Sequence, residues 1–161
     1  MKISFIDLTR QYKNLKPEID KIVKDTFSRG DFILGENVAE FEREFAAYCG
    51  VKYCVGVASG TDALLLSLRA LGVGPGDEVI TVAFTFIATV LPIIYLGAKP
   101  VLVDINPDTY QIDTKKLEKA ITKKTKVIIP VHLFGIPAPI LEITKIAKRL
   151  SLVQSMIRSN T

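Results

Sequence analysis

Strand-type and helix-type patterns alternate along the chain from residue 53 to residue 150, and this alternation limits the fold more than any other feature. The strand-type segments are apolar throughout, which is typical of strands covered by helices on both faces. We therefore expect an α/β fold with a mostly parallel sheet. The predicted strands are 53–58, 78–82, 100–104 and 126–131, and the predicted helices are 36–48, 59–71, 88–96, 114–120 and 140–150.

Composition excludes several classes of protein. The 161 residues are 48% apolar and 24% charged, with a net charge of +4, which is typical of a globular chain with a real core and not of a disordered one. A lysine cluster is interpreted as a solvated helix face, not a nucleic-acid site, because acidic and apolar residues interleave with it. Its members are Lys115, Lys116, Lys119, Lys123, Lys124 and Lys126.

Cysteine usage and the first residues bear on the compartment. Cys49 and Cys54 have the wrong spacing for a zinc knuckle and form no disulfide framework. Residues 1–8 lack the basic-then-apolar layout of a signal peptide. A reducing, cytoplasmic environment is therefore expected.

One uncharged stretch, Val79 to Ala98, is long enough to span a bilayer. It contains three threonines, and Pro92 lies inside it. We interpret it as a buried strand, an apolar loop and a buried helix in series, and we expect no membrane partner.

The strongest local motif is Ala58-Ser59-Gly60-Thr61-Asp62-Ala63, where a predicted strand is followed by a helix. Free N–H groups at a helix N-terminus bind phosphates, Gly60 allows close approach, and the hydroxyls of Ser59 and Thr61 add donors. Plain helix capping by Ser59, with Asp62 as a first-turn acid, explains the same residues equally well. Both interpretations stay open on this motif alone.

Two further features follow predicted strands. Phe84-Thr85-Phe86 lies beyond the strand at 78–82, where an aromatic ring can stack on a planar cofactor, although two core rings are the simpler interpretation. His132, the only histidine, ends the strand at 126–131. One histidine supports no catalytic triad, and a structural role is favoured.

Taken together, these residues resemble the DegT/DnrJ/EryC1/StrS family of sugar aminotransferases, which are fold-type-I pyridoxal-phosphate enzymes. The resemblance extends over residues 3 to 150, in family order and spacing. The matching segments are FIDLTRQYKNL (5–15), FILGENVAEFEREFAAYCG (32–50), YCVGVASGTDALLLSLRALGVGPGDEVI (53–80), FTFIATV (84–90), GAKPVLVDINPDTYQID (97–113) and VIIPVHLFG (127–135).

The resemblance assigns roles to individual positions. Ser59, Gly60 and Thr61 match the loop that holds the cofactor phosphate; Asp62 belongs to the same loop with a less certain role. Phe86 matches the aromatic that stacks on the pyridine ring, and residues 32–35 match a segment near the mouth of the active site. No catalytic residue is assigned, no metal is implied, and His132 receives no chemical role.

The resemblance also implies what this chain lacks. In the family, an aspartate on the strand after the 140–150 helix pairs with the pyridine nitrogen, and a later lysine forms the Schiff base. We therefore expect residues 1–150 to be part of a three-layer α/β/α large domain, with the C-terminal small domain missing. Residues 151–161 are interpreted as an aberrant or truncated tail, produced by a frameshift or an early stop.

Several functions remain open. The resemblance implies a parent homodimer that moves an amino group from a donor such as glutamate to a nucleotide-linked keto-sugar. Alternatives are a fragment of a related sugar dehydratase that uses the aminated cofactor, and a non-catalytic remnant or binding module with a vestigial phosphate site. An unrelated nucleotide-binding regulator is disfavoured because no P-loop or dinucleotide-binding glycine motif is present. We expect this chain alone to be inactive and to associate with itself.

Overall fold

The computed structural model describes residues 5–149. Its sheet consists of three parallel strands, which lie in the second half of the chain. The strands are β1 (Glu78–Val82), β2 (Lys99–Val103) and β3 (Thr125–Ile129), in the order β2-β1-β3. Glu78 lies opposite Lys99 and Val82 opposite Val103, so β1 and β2 are in register over their full length. A bulge between Glu78 and Val79 shifts the register against β3.

Six α-helices accompany the sheet and the segment before it in the described residues. They are α1 (Leu8–Arg29), α2 (Glu36–Cys49), α3 (Gly60–Ala70), α4 (Leu91–Tyr95), α5 (Thr114–Ala120) and α6 (Ile140–Arg149). Single 3₁₀ turns follow β1 at Ile87–Thr89 and β3 at Leu133–Gly135.

Helices cover both faces of the sheet. Successive residues of β1 and β3 point to opposite sides, so each of these strands contributes to two apolar clusters. One apolar cluster joins β1 and β3 to α3 and α4; its buried members include Leu64, Leu68, Val79, Ile93, Val127 and Ile129. The other joins the strands to α5 and α6, and its buried members include Ile80, Leu117, Ile128, Ile143 and Ile146. The expected three-layer α/β/α arrangement is confirmed.

The edge strand β2 is only partly covered. Pro100 lies in it, and a proline has no N–H to donate, which suits an edge strand. Leu102 exposes 54% of its surface. The expectation that every strand is buried on both faces therefore holds for β1 and β3 but not for β2.

The chain divides into two compact units, and the first ends at Gly56. Within it, Asp7 caps α1 by accepting the N–H groups of Thr9 and Arg10, and Gly30 ends the helix in a left-handed conformation. α1 contains no buried residue. This helix is not among the elements predicted from the sequence, although apolar residues recur in it at helical spacing and part of it belongs to a matching segment.

Two predicted elements need correction. Residues 53–58 do not form a strand; Tyr53 and Val55 expose 74% and 75% of their surfaces. An apolar run becomes a strand only when a neighbouring strand accepts its hydrogen bonds, and none does so in the described residues. The predicted helix at 88–96 is shorter: a 3₁₀ turn precedes α4, and Pro92 lies in the first turn, where a missing N–H is tolerated.

The uncharged stretch from Val79 to Ala98 contains most of β1, the 3₁₀ turn and α4, as predicted in outline. Among the described residues, no helix combines the length and the apolar character needed to cross a membrane. The interpretation of residues 151–161 as an aberrant tail lies outside the described residues.

Candidate functional site

Ser59 caps the N-terminus of α3. Its hydroxyl accepts the N–H of Asp62 at 3.1 Å and donates to the Asp62 carboxylate at 2.8 Å. This pair resembles a capping box, except that the acidic side chain accepts the hydroxyl of the N-cap residue and not its backbone N–H. The capping interpretation of the motif is thus confirmed, and it fixes Ser59 and Asp62 relative to each other.

Donors remain at this helix end after capping. Within the described residues, the N–H groups of Gly60 and Thr61 have no protein acceptor, as is usual for the first turn of a helix. A Cβ placed on Gly60 would meet no atom within 4 Å, so the space on the Cβ side of Gly60 is open. Two N–H groups and the Thr61 hydroxyl, beside open space at Gly60, are a donor set that suits a phosphate.

Phe84 and Phe86 follow β1 and are both exposed, by 47% and 61%. The interpretation of both rings as core is therefore wrong. Phe86 precedes the 3₁₀ turn, which is closed by the Thr89 N–H donating to the Phe86 carbonyl at 2.9 Å. Thr89 is buried, and its hydroxyl contacts that of Thr85 at 2.9 Å. These contacts fix the turn that follows Phe86.

The direction of α3 brings its N-terminus to the same edge of the sheet as Phe86. The turn after α3 is held at the amino edge, because Lys126 of β3 donates to the Gly72 carbonyl at 2.7 Å and to Asp77 at 2.9 Å. From there α3 runs back along β1, and both elements are about 16 Å long. α3 also contacts the 3₁₀ turn that follows Phe86.

The carboxylates of Asp77 and Glu78 lie at the opposite, amino edge. Hydrogen bonds from Thr122 and from Lys99 lower the pKa of Glu78, and those from Lys126 and the Gly74 N–H lower the pKa of Asp77. Because each is bound to a nearby cation, we assign these two residues to stability and not to the candidate site.

His132 has a structural contact. Its Nδ1 accepts the N–H of Ala138 at 2.9 Å, which closes the loop that follows β3. This geometry agrees with the structural role favoured by the sequence. Residues 32–35 belong to the first unit, where Phe32 makes an edge contact with Phe27 at 5.3 Å between ring centroids.

Three residues at the carboxyl edge have no role predicted from the sequence. Tyr110 and Phe134 are exposed aromatic residues with left-handed backbone, and Gln111 is buried. Their one sequence signal is position, since each lies in a loop that follows a strand. The side-chain burial and the sign of φ arise from tertiary packing and could not be read from the sequence.

Comparison with known proteins decides the family. The sequence profile of the DegT/DnrJ/EryC1/StrS aminotransferase family matches residues 13–154. The chain belongs to this family. Among its relatives, a pleiotropic regulatory protein of Geobacillus stearothermophilus is 50% identical over 153 residues, which are 95% of this chain and 41% of that protein. The UDP-2-acetamido-2-deoxy-3-oxo-D-glucuronate aminotransferase of Pseudomonas aeruginosa is 49% identical over 93% of this chain and 42% of its own length.

Solved structures of the family agree in fold. DesV of S. venezuelae, in complex with a ketimine intermediate, superposes with a TM-score of 0.93 at 42% identity, over 97% of this chain and 42% of that one. NtdA of Bacillus subtilis with bound cofactor PMP gives a TM-score of 0.92 at 37% identity, over 97% and 36% of the two chains. The chain thus spans about two fifths of the length of these DegT/DnrJ/EryC1/StrS relatives.

Proposed function

We propose that this chain forms the phosphate-binding and ring-stacking part of a pyridoxal-phosphate-dependent aminotransferase that acts on a nucleotide-linked keto-sugar. The observation that carries the proposal is the open N-terminus of α3, with its unused donors, at the same sheet edge as the exposed ring of Phe86. Membership of the aminotransferase family, and relatives named for their action on nucleotide sugars, support this assignment.

Within the proposal, the N–H groups of Gly60 and Thr61 bind the cofactor phosphate, and the Thr61 hydroxyl adds a third donor. The Ser59 hydroxyl now donates to Asp62, so it contributes only by turning its proton toward the phosphate. Phe86 orients the heterocycle by stacking on its face. When bound, the cofactor accepts electron density from the reacting carbon of the substrate.

The complete reaction needs more than these residues. In the resemblance described above, an aspartate beside the pyridine nitrogen and a lysine that moves the proton complete the site. The chain covers 41% of the length of its Geobacillus stearothermophilus relative. We therefore propose that the 161 residues bind cofactor but give no transaminase turnover, and that the parent enzyme is a homodimer.

Calorimetric titration with pyridoxamine 5′-phosphate tests the proposal. This form carries an amine in place of the aldehyde, so it cannot react with surface lysines. We expect it to bind more tightly than pyridoxamine, and Ser59→Ala to weaken only the phosphorylated ligand, by about 5-fold for a loss of roughly 1 kcal/mol.

Ser67→Ala is the matched control, because Ser67 lies on the same helix but away from its N-terminus. It should leave both affinities unchanged. Equal affinity for the phosphorylated and unphosphorylated ligands would contradict the phosphate site. Transaminase turnover by the chain alone would contradict the proposed inactivity.

A further inference from the structure

Both helices of the first unit, α1 and α2, carry exposed apolar side chains along one side. On each helix these side chains recur every three or four positions, so they form a row parallel to the helix axis. The α1 row consists of Tyr12, Leu15, Ile19 and Ile22, and the α2 row consists of Phe41, Phe45 and Tyr48.

The α2 row is a continuous series of aromatic rings. The ring centroids of Phe41 and Phe45 lie 5.5 Å apart, and those of Phe45 and Tyr48 lie 6.3 Å apart. The three residues expose between 46% and 88% of their surfaces. The row therefore offers a large apolar strip to a partner.

A different side of α2 is already occupied by the segment that follows the helix. The Val51 N–H donates to the Ala46 carbonyl at 3.0 Å, and the Gly56 N–H donates to the Glu42 carboxylate at 2.6 Å. The chain thus covers one side of α2 with its own backbone and leaves the aromatic side exposed.

α1 and α2 of one copy do not cover each other's rows. α1 has no buried residue, so nothing in the unit packs over its row. The side-chain hydrogen bonds between the two helices are polar and lie at the end of α1. The Asn37 amide donates to the Thr26 hydroxyl at 3.0 Å, and Arg29 donates to the Asn37 amide oxygen at 3.4 Å.

The charges of the first unit are separated between the two helices. α1 has six basic and three acidic residues, a net charge of +3, whereas α2 has one basic and four acidic residues, a net charge of −3. Among the described residues, no ion pair joins the two helices, since Lys16 pairs with Asp20 and Arg43 pairs with Glu40 and Glu44. A second copy of this chain supplies the opposite charge to both helices at once.

Charged groups border both rows. The Lys16 ammonium lies 5.8 Å from the centroid of the Tyr12 ring, beside the α1 row. Glu44 is three positions after Phe41 and four before Tyr48, which places it beside the α2 row. A basic border on α1 therefore matches an acidic border on α2.

We propose that two copies of this chain associate reciprocally, with the α1 row of each copy lying on the α2 row of the other. Such a surface is self-complementary, as a two-fold dimer requires. Each of the two contacts can extend over the length of α2, about 21 Å. Burial of the apolar rows favours association, and the opposite charges beside them select the partner helix. The inference concerns surfaces of this chain and does not depend on the cofactor site.

Sedimentation equilibrium of the full chain and two charge-reversed variants tests the inference. Lys13→Glu combined with Lys16→Glu changes the net charge of α1 to −1, and Glu40→Lys combined with Glu44→Lys changes that of α2 to +1. Alone, each variant places like charges on both contacts. We expect the dissociation constant of its dimer to rise about 10-fold.

Mixing the two variants distinguishes reciprocal pairing from other forms of association. In the mixed pair, one contact joins −1 to +1 and the other joins +3 to −3, so attraction returns at both. The equimolar mixture should therefore associate about 10-fold more tightly than either variant alone. Far-UV circular dichroism verifies that each variant keeps its helices. The single substitutions Lys16→Glu and Glu44→Lys give the same comparison with a smaller effect and less change to each helix.

Lys119→Glu combined with Lys123→Glu is the matched control, because it makes the same change in charge at exposed positions outside the first unit. It should leave the dissociation constant unchanged. A natural chain that stays monomeric, reversals that do not weaken association, or a mixture no tighter than its components would each overturn the inference. A monomer that co-sediments with phosphatidylserine vesicles would also overturn it, since α1 would then bind lipid and not a second copy.

Discussion

Asp62 places a carboxylate in the first turn of α3, where the proposed phosphate would also bind. A first-turn acid stabilises a helix by about 0.3–1 kcal/mol through the helix dipole, but the same charge repels an anion. We predict that Asp62→Asn lowers the free energy of unfolding by this amount and raises the affinity for pyridoxamine 5′-phosphate about 2- to 5-fold. Urea unfolding and calorimetry measure the two effects.

Asp108→Asn supplies the control for this pair of measurements. Asp108 is exposed in the turn after β2. Its substitution by asparagine removes the same charge at a place that is not a helix N-terminus. A loss of affinity in Asp62→Asn would show that the carboxylate helps to hold the ligand, which would contradict the repulsion argument.

Leu34 illustrates strain at a single residue. It exposes 83% of its surface and has a φ of 50°, whereas its neighbour Ile33 is 85% exposed and has a negative φ. Leu34→Gly should stabilise the first unit by about 0.5–1 kcal/mol, and Ile33→Gly should destabilise it by a similar amount. Far-UV circular dichroism in urea checks this, and a shift of the same sign in both variants would contradict it.

At the scale of elements, the sequence predicted best where local signals coincide with the packing. α5 lies at Thr114–Ala120 as expected, because Asp113 caps its start and Leu117 faces the core. Residues 53–58 have the composition of a strand, yet strand formation depends on a partner that a local pattern does not reveal. The sheet therefore contains three of the four predicted strands.

The candidate site divides in the same way. The loop at 59–62 could be predicted because its capping hydrogen bonds are local, within three residues. The exposure of Phe84 and Phe86 could not, because aromatic residues are usually buried and only the tertiary structure shows otherwise. Gln111 has no local signal at all, since its partner Leu133 is 22 residues away.

Lys126 connects two elements and provides a prediction at this scale. Its ammonium group donates to the Gly72 carbonyl and to Asp77, which fastens the turn after α3 to β3. Both side chains are about 30% exposed, so the screened ion pair contributes modestly. We expect Lys126→Met to lower the free energy of unfolding by about 1 kcal/mol, as measured by urea unfolding.

Lys123→Met is the matched control, because Lys123 is exposed in the segment before β3. It should change the free energy of unfolding by less than about 0.5 kcal/mol. Equal effects of the two substitutions would mean that the Lys126 contacts do not stabilise the turn.

For the whole molecule, stability should depend on pH through the two carboxylates at the amino edge of the sheet. Hydrogen bonds from Thr122, and next from Lys99, hold the pKa of Glu78 below its ordinary value of 4.5. Hydrogen bonds from Lys126, and next from the Gly74 N–H, hold the pKa of Asp77 below its ordinary value of 3.8. A lowered pKa in the folded state means that the charged form stabilises the fold above the unfolded value. Thermal midpoints should be nearly constant above about pH 5 and should fall progressively below pH 4.5.

Glu78→Gln separates this contribution from general acid unfolding. The variant keeps the shape of the side chain but cannot titrate, so it should be less stable at neutral pH and should lose less stability between pH 5 and pH 3. Asp108→Asn, outside the amino edge, should follow the natural chain. Parallel curves for Glu78→Gln and the natural chain would contradict the assignment.

The distribution of apolar surface gives the last prediction for the molecule as a whole. α1 carries apolar residues at helical spacing, including Leu15, Ile19 and Ile22, yet none of its residues is buried. A helix of this kind gains most of its stability from packing its apolar face, so the face should be covered when a second surface is available. We expect sedimentation velocity to show association that increases with protein concentration.

Ile19→Ser should shift this association toward monomer, whereas Asp20→Ser, one position along the same helix, should leave it unchanged. Ile19 belongs to the apolar spacing and Asp20 pairs with Lys16 on the helix surface. Because the two substitutions introduce the same side chain at neighbouring positions, a difference between them reports the apolar face and not helix propensity. A sharp, reversible unfolding transition of a monomer at all concentrations would show that α1 is stable without any covering surface.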